Sequence, residues 1–251
     1  MKKILTGIMC GVAVLALAGC GTTAAASGDA KASAASSGDA SYVCAFDFES
    51  PIEDGEIADA SGNELTGEAG GDGVLTDGKH GKAMVFNGSD CYIRVDESVM
   101  DNDEFTFAAW VKPDMWKDWA RIVDIGDGAS NDLWLGYAGA EHQLRLDVFG
   151  PNGTPVTLLA ATPAAGQWTH IACTVGKGNA ALYVNGNMIQ QVPCTNNLSG
   201  FPVKNNAYVG RSNWAADPLF QGAMDDIVFA SRVYSSKEVK ALMNNGISAA
   251  K

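Results

Sequence analysis

Basic residues are scarce in this chain: Lys and Arg number 17 against 29 Asp and Glu, for a formal net charge of −12. An acidic surface repels phosphate backbones and anionic headgroups. That excludes nucleic acid as a partner and leaves neutral sugars, peptides and divalent cations open. Histidine is scarcer still. His80, His142 and His170 are scattered, with neither metal-ligand spacing nor a nucleophile alongside, which argues against a histidine-built metal centre or a triad hydrolase. Length is lacking in the apolar run from Ile4 to Ala18, which is too short to be a comfortable membrane span.

That run has another use. Lys2 and Lys3 precede it as a positive n-region, so residues 1–19 read as a secretory leader. It ends in Leu17-Ala18-Gly19-Cys20, which resembles the lipobox of bacterial lipoproteins. The resemblance implies that Cys20 accepts a diacylglycerol and becomes the mature N-terminus, giving an extracytoplasmic protein held to the membrane by a lipid anchor. Residues 20–41 then follow as the lipidated Cys and a flexible linker of Ala, Gly, Ser, Thr, Asp and Lys, with Ser-Gly-Asp-Ala at 27–30 and again at 37–40.

The remaining cysteines are Cys44, Cys91, Cys173 and Cys194. An even count in a secreted chain permits two disulfides in three pairings. A meander through residues 180–185 would hold Cys173 and Cys194 about two strand spacings apart, roughly 9–10 Å, beyond disulfide reach. Small buried thiols are the expectation.

An apolar content of 47% with 29 glycines suits one compact all-β domain, placed at residues 42–246 with a tail at 247–251. Short alternating runs recur at Tyr42 to Phe48, Phe105 to Val111, Arg121 to Ile125, Leu133 to Tyr137, Gln143 to Phe149 and Trp168 to Val175. Asn185-Gly186 between Ala180 to Val184 and Met188 to Val192 is a two-residue hairpin signal. Tyr208 to Arg211 and Gly222 to Tyr234 supply the last strands. Ser235 and Glu238 then have capping-box spacing before Val239, Leu242 and Met243 share a helical face. The pattern predicts a two-sheet antiparallel jelly-roll sandwich with one short C-terminal helix.

Within Phe220 to Tyr234, period-two alternation predicts Asp225 on the face of Ile227 and Phe229, and Met224, Asp226 and Val228 on the other. A carboxylate on the inner face must meet a cation or accept backbone N–H bonds.

Several segments together resemble the concanavalin A-like jelly roll of the laminin-G-like family. They are Phe46-Asp-Phe-Glu49, Asp59-Ala-Ser-Gly-Asn63, Gly81-Lys-Ala-Met-Val-Phe-Asn-Gly88, Phe105 to Pro113, Trp168-Thr-His-Ile-Ala172, Leu182 to Gly186 and Phe220 to Phe229. The resemblance implies extracellular placement and binding of a glycan or a cell-surface protein, often with a calcium ion. It also implies Asp47 and Asp225 as Ca²⁺ ligands, the alternative being that Asp225 accepts backbone N–H bonds and Asp47 is solvated.

Two loops carry the residues a sugar platform needs. Trp116 and Trp119 lie with Arg121 in one, and Trp214 with Arg211 and Asn213 in the other. Pyranose CH faces stack on indole rings while polar groups fix the hydroxyls; the alternative is that these tryptophans are buried loop anchors. Hydrolases of this fold carry closely spaced acids alternating along one strand, and no strand here does, so the expected function is non-catalytic.

Overall fold

A computed structural model describes residues 41–139 and 141–247. The leader, Cys20, all but the end of the linker and the tail beyond 247 lie outside the described residues. Among the described residues, no helix is long and apolar enough to cross a membrane.

Among the described residues, sixteen strands, a 3-10 turn at Glu97–Met100 and one α-helix follow in order. They are β1 (Tyr42–Phe46), β2 (Glu56–Ile57), β3 (Gly67–Gly70), β4 (Val74–Asp77), β5 (Lys82–Asn87), β6 (Tyr92–Val95), β7 (Phe105–Pro113) and β8 (Arg121–Gly126). Next come β9 (Asp132–Ala138), β10 (Gln143–Val148), β11 (Val156–Ala160), β12 (Thr169–Gly176), β13 (Asn179–Val184), β14 (Asn187–Pro193), β15 (Asn206–Val209), β16 (Gln221–Ala230) and the helix α1 (Ser236–Asn245). They form two sheets. The first runs β14-β13-β12-β7-β16-β5-β4 with β1 paired to β16, and the second runs β11-β10-β9-β8-β15-β6-β3-β2. This is the antiparallel sandwich the alternation predicts. The short strands β2, β3 and β4 carry too few residues, or too much glycine and charge, to stand out in the sequence, and β11, Val-Thr-Leu-Leu-Ala, breaks period two with its adjacent leucines.

The core lies between the sheets. Phe46, Phe86, Phe105, Phe107, Phe220 and Phe229 are fully enclosed there. Each such ring contributes about 2–3 kcal/mol of transfer free energy. On the outside of the first sheet a second cluster packs α1. Ala45, Val228, Ala108, Ala172 and Tyr183 face one another across five strands. The small side chains in this row let Val239 and Leu242 approach the backbone closely. Ser235 caps α1 with the expected box, its side chain accepting from the Glu238 N–H while Glu238 accepts from the Ser235 N–H.

β16 is central, pairing with β7 along most of its length, with β5 over its first half and with β1 over its second. The strict alternation expected of it fails at one point. A bulge between Asp225 and Val228 places Asp226 at φ 46° and inserts one residue. Met224 and Ile227 therefore both face the core, and Asp225 sits beside Trp110 on the outer face rather than with Ile227. β8 has the same device. Ile122 and Val123 both enter the core, leaving Arg121 and Asp124 together on the outer face of the second sheet.

Cys44, Cys91, Cys173 and Cys194 are buried free thiols, as the strand spacing requires. At the hairpin between β13 and β14, Asn185 and Gly186 adopt φ 48° and 71°, which the Asn-Gly pair tolerates.

Candidate functional site

The outer face of the second sheet is polar and aromatic where its inner face is apolar. Glu68, Arg94, Tyr208, Asp124, Trp134, Asp147 and Thr157 lie side by side across β3, β6, β15, β8, β9, β10 and β11. Each alternates with core residues, so the pleat alone brings them to one surface. Charge pairing then compacts the middle of the row. Arg145 forks onto Asp147, which also accepts the Thr157 hydroxyl at 2.6 Å.

Arg121 pins the two loops that the sequence singles out. Its Nε meets Asp124 Oδ2 at 3.2 Å, one terminal nitrogen donates to the Trp119 carbonyl at 2.8 Å, and the other meets Asp217 Oδ2 at 3.1 Å. Its guanidinium lies 3.9 Å from the Trp134 ring centre. The Arg121 side chain itself is buried, so Arg121 holds the site together rather than touching a ligand, a correction to its expected role. Asp124 in turn accepts from the Asn213 backbone at 3.1 Å and from its side-chain amide at 2.6 Å. Asn213 is accordingly a strut as well.

Beside Asp124, burial and the neighbouring carboxylate push Asp132 up to about 9. At neutral pH Asp132 therefore holds a proton, which is how two adjacent buried acids coexist.

The loop of residues 211–219 is built by its own bonds. Gly210, at φ 78°, starts it where any added Cβ would strike the Phe86 ring, and the Phe220 N–H closes it onto the Gly210 carbonyl at 2.9 Å. Ser212 donates to Asp217 and accepts from the Trp214 N–H, and the Asp217 N–H returns to the Trp214 carbonyl. The loop is thus rigid before any ligand arrives, and Trp214 is presented 58% exposed.

Under Trp214 lies a cavity of about 400 Å³ lined by Gly88, Ser89, Asp90, Tyr92, Arg211 and Asp217 among others. That volume suits one or two sugar rings. Arg211 lies over Tyr92 and Tyr208 at 4.6 and 4.7 Å from the ring centres.

The structure therefore joins Arg211 and Trp214 in one cavity, with Asn213 beneath. Trp119 is 37% exposed and packs edge-on to Trp134, outside the cavity lining. Trp116 is the loop anchor of the two alternatives, not a platform. Its indole N–H donates to the Pro163 carbonyl at 2.7 Å, and its ring stacks on Tyr137. Tyr92, Tyr208, Asp124 and Asp217 escaped the sequence reading; the alternation of Tyr92 with Ile93 was the available signal for the first of them.

Asp225 follows the backbone alternative. Its Oδ2 accepts from the N–H groups of Lys79 and His80 at 2.7 and 2.8 Å, and its Oδ1 from Asp226 at 2.7 Å. Asp47 accepts the Glu49 N–H at 3.2 Å. Among the described residues no three His, Cys, Asp or Glu side chains gather to hold a metal ion. Both Asp225 oxygens are thus already occupied by backbone N–H donors, whereas a Ca²⁺ ion takes six to eight oxygens, backbone carbonyls and waters among them.

Comparison with known proteins places this geometry in context. The sequence profile of the Concanavalin A-like lectin/glucanases superfamily matches residues 87–240. No curated protein matches the chain. Among solved structures, domain 4 of an extracellular arabinanase from Geobacillus stearothermophilus, in complex with arabinotriose, superposes with a TM-score of 0.65 at 23% identity, covering 80% of this chain and 98% of that one. The binding domain of botulinum neurotoxin DC, in complex with rat synaptotagmin II, gives 0.63 at 15% identity, covering 81% of this chain and 51% of that one. The binding domain of Paraclostridial Mosquitocidal Protein 1 gives 0.60 at 19%, covering 81% and 52%. At these identities the likeness establishes the shared fold.

Proposed function

Because the chain belongs to the concanavalin A-like lectin/glucanases superfamily, we propose that it binds carbohydrate without cleaving it, in the cavity beneath Trp214, as a lipid-anchored extracytoplasmic protein. One observation carries the reading: an exposed tryptophan stands on a loop prebuilt by its own hydrogen bonds, over a cavity of sugar size. The arabinotriose bound to the arabinanase domain supports the ligand class. The lipobox-like Leu17-Ala18-Gly19-Cys20 supports the anchor.

The acids near the site argue against hydrolysis. Asp90 accepts from Asn87, Asp217 from Arg121 and Ser212, and Asp147 from Arg145, roles that fix the scaffold and favour binding over glycosidic hydrolysis. A protein partner is the alternative, favoured by Met188 and Ile189, 42% and 49% exposed on the edge strand β14.

A glycan array probed with the full chain, with calcium and again with chelator, tests the reading. Binding to a glycan class that Trp214→Ala abolishes supports it. Binding that the chelator removes would restore the calcium expectation. A blank array with capture of a surface protein through β14 would replace it.

A further inference from the structure

Arg211 differs from the other arginines in the described structure. Arg94, Arg121, Arg145 and Arg232 each pair with a carboxylate. Arg211 has no ion pair or hydrogen bond among the described residues, yet it is held in place by the faces of Tyr92 and Tyr208. Those two rings meet edge to face at 5.7 Å, forming a fixed aromatic corner. A guanidinium stacked in this way keeps its N–H donors in plane and free, the arrangement that grips a carboxylate with two parallel bonds.

The cation also lines the cavity that Trp214 overhangs. Among its acidic neighbours there, Asp217 is taken by Arg121 and Ser212, while Asp90 accepts from the neutral Asn87 amide and keeps its charge; neither is paired with Arg211. A second cation stands at the rim: Lys117 Nζ lies 3.4 Å from the carbonyl of Gly88, a lining residue. In a chain whose formal charge is −12, this cavity stands out for bringing together an arginine without a carboxylate partner and a neighbouring lysine.

We propose that this cavity selects an acidic sugar, a uronic acid whose carboxylate is forked by Arg211 while its ring stacks on Trp214. The proposal rests on the carbohydrate-binding reading and adds the substrate class. A sulfate ester is the other anionic group a glycan carries, and a guanidinium fork can grip it as well, so the test includes a sulfated probe. Removing the fork costs one charge-assisted bidentate contact, about 10- to 100-fold in affinity.

The test is calorimetric titration of the full chain with galacturonate and glucuronate oligosaccharides, with the same oligosaccharides after carboxyl reduction, with neutral arabino-oligosaccharides, and with a sulfated neutral glycan. The expected result is binding of at least one uronate probe, loss of about tenfold or more on reduction, and a similar loss in Arg211→Gln. Arg211→Lys keeps the charge without the fork and should fall between. Thermal melting of both variants confirms that they fold. Equal affinity for the reduced or neutral probes overturns the uronate assignment and leaves the carbohydrate reading standing. Equal affinity for the sulfated glycan reduces Arg211 to a general anion contact and also overturns it. No binding of any glycan overturns both.

Discussion

Replacing Asp225 by alanine should cost more stability than its single position suggests. The side chain is fully buried and accepts backbone N–H bonds from Lys79, His80 and Asp226. Alanine leaves these donors without an acceptor, and a buried unsatisfied donor costs about 1–3 kcal/mol. The three share one site and relax together, so the expected loss is about 3–5 kcal/mol rather than their full sum. Asparagine separates acceptor from charge. Its amide oxygen can still take the Lys79 and His80 bonds, but its NH₂ then confronts the Asp226 N–H, so Asp225→Asn should lose about 1–2 kcal/mol. Urea unfolding reads both as shifts in midpoint at constant slope. An alanine variant within about 1 kcal/mol of the parent would refute the idea that Asp225 organises the bulge, by the same donor arithmetic.

Burial is the largest cause raising Asp225, to about 7, and Asp132, to about 9. Both exceed an unfolded value of about 3.9, so the native state binds their protons more tightly and stability falls as pH rises from about 4 through 7 and on through 9. Asp132→Asn mimics the protonated form and should flatten the upper part of that decline in thermal melts at pH 7 and 9; an unchanged slope would count against it. Trp214→Ala should leave stability within about 0.5 kcal/mol, since the ring is exposed, while abolishing glycan binding on the array. Trp116→Ala should instead lower the urea midpoint by about 2 kcal/mol of stability through lost packing and a lost indole bond. Burial pushes Cys173 up to about 12, and the other three thiols are enclosed as well. All four should resist alkylation in the native state and react on unfolding without reductant; mass spectrometry showing a disulfide would overturn the thiol assignment.

The fold was legible because most strands keep period two and because Asn185-Gly186 and Ser235 to Glu238 have local mechanisms that need no tertiary partner. Legibility failed at the two bulges. Counting by twos from Phe229 puts Asp225 inside, and only the inserted Asp226 sends it out to the Lys79 and His80 amides. The site was half legible for a related reason. Exposed tryptophans announce themselves in polar loops, but whether a given one is anchored depends on a partner far away in the chain, as Trp116 finds at Pro163. Arg121 likewise reads as a free loop cation until Asp124 and Asp217 are brought to it.

The two outer faces of the sandwich have consequently taken different tasks. On the first sheet, α1 covers the alanine row and Asp226 accepts the Ile247 N–H just beyond its end, so that face is committed to stability. Among the described residues, no α-helix covers the second sheet. Its arginines are consumed by carboxylates in the centre of the row, which fixes the loops, and one is left unconsumed at the edge where the cavity opens. Stacking that arginine on two tyrosines is worth about 0.5–1 kcal/mol per contact in itself and leaves its N–H donors unused. Ordering a long side chain costs up to about 2 kcal/mol, and a ligand met by a preordered guanidinium is spared that cost. Under the proposed carbohydrate-binding reading, the unspent donor is the feature that separates a binding site from a merely polar sheet face.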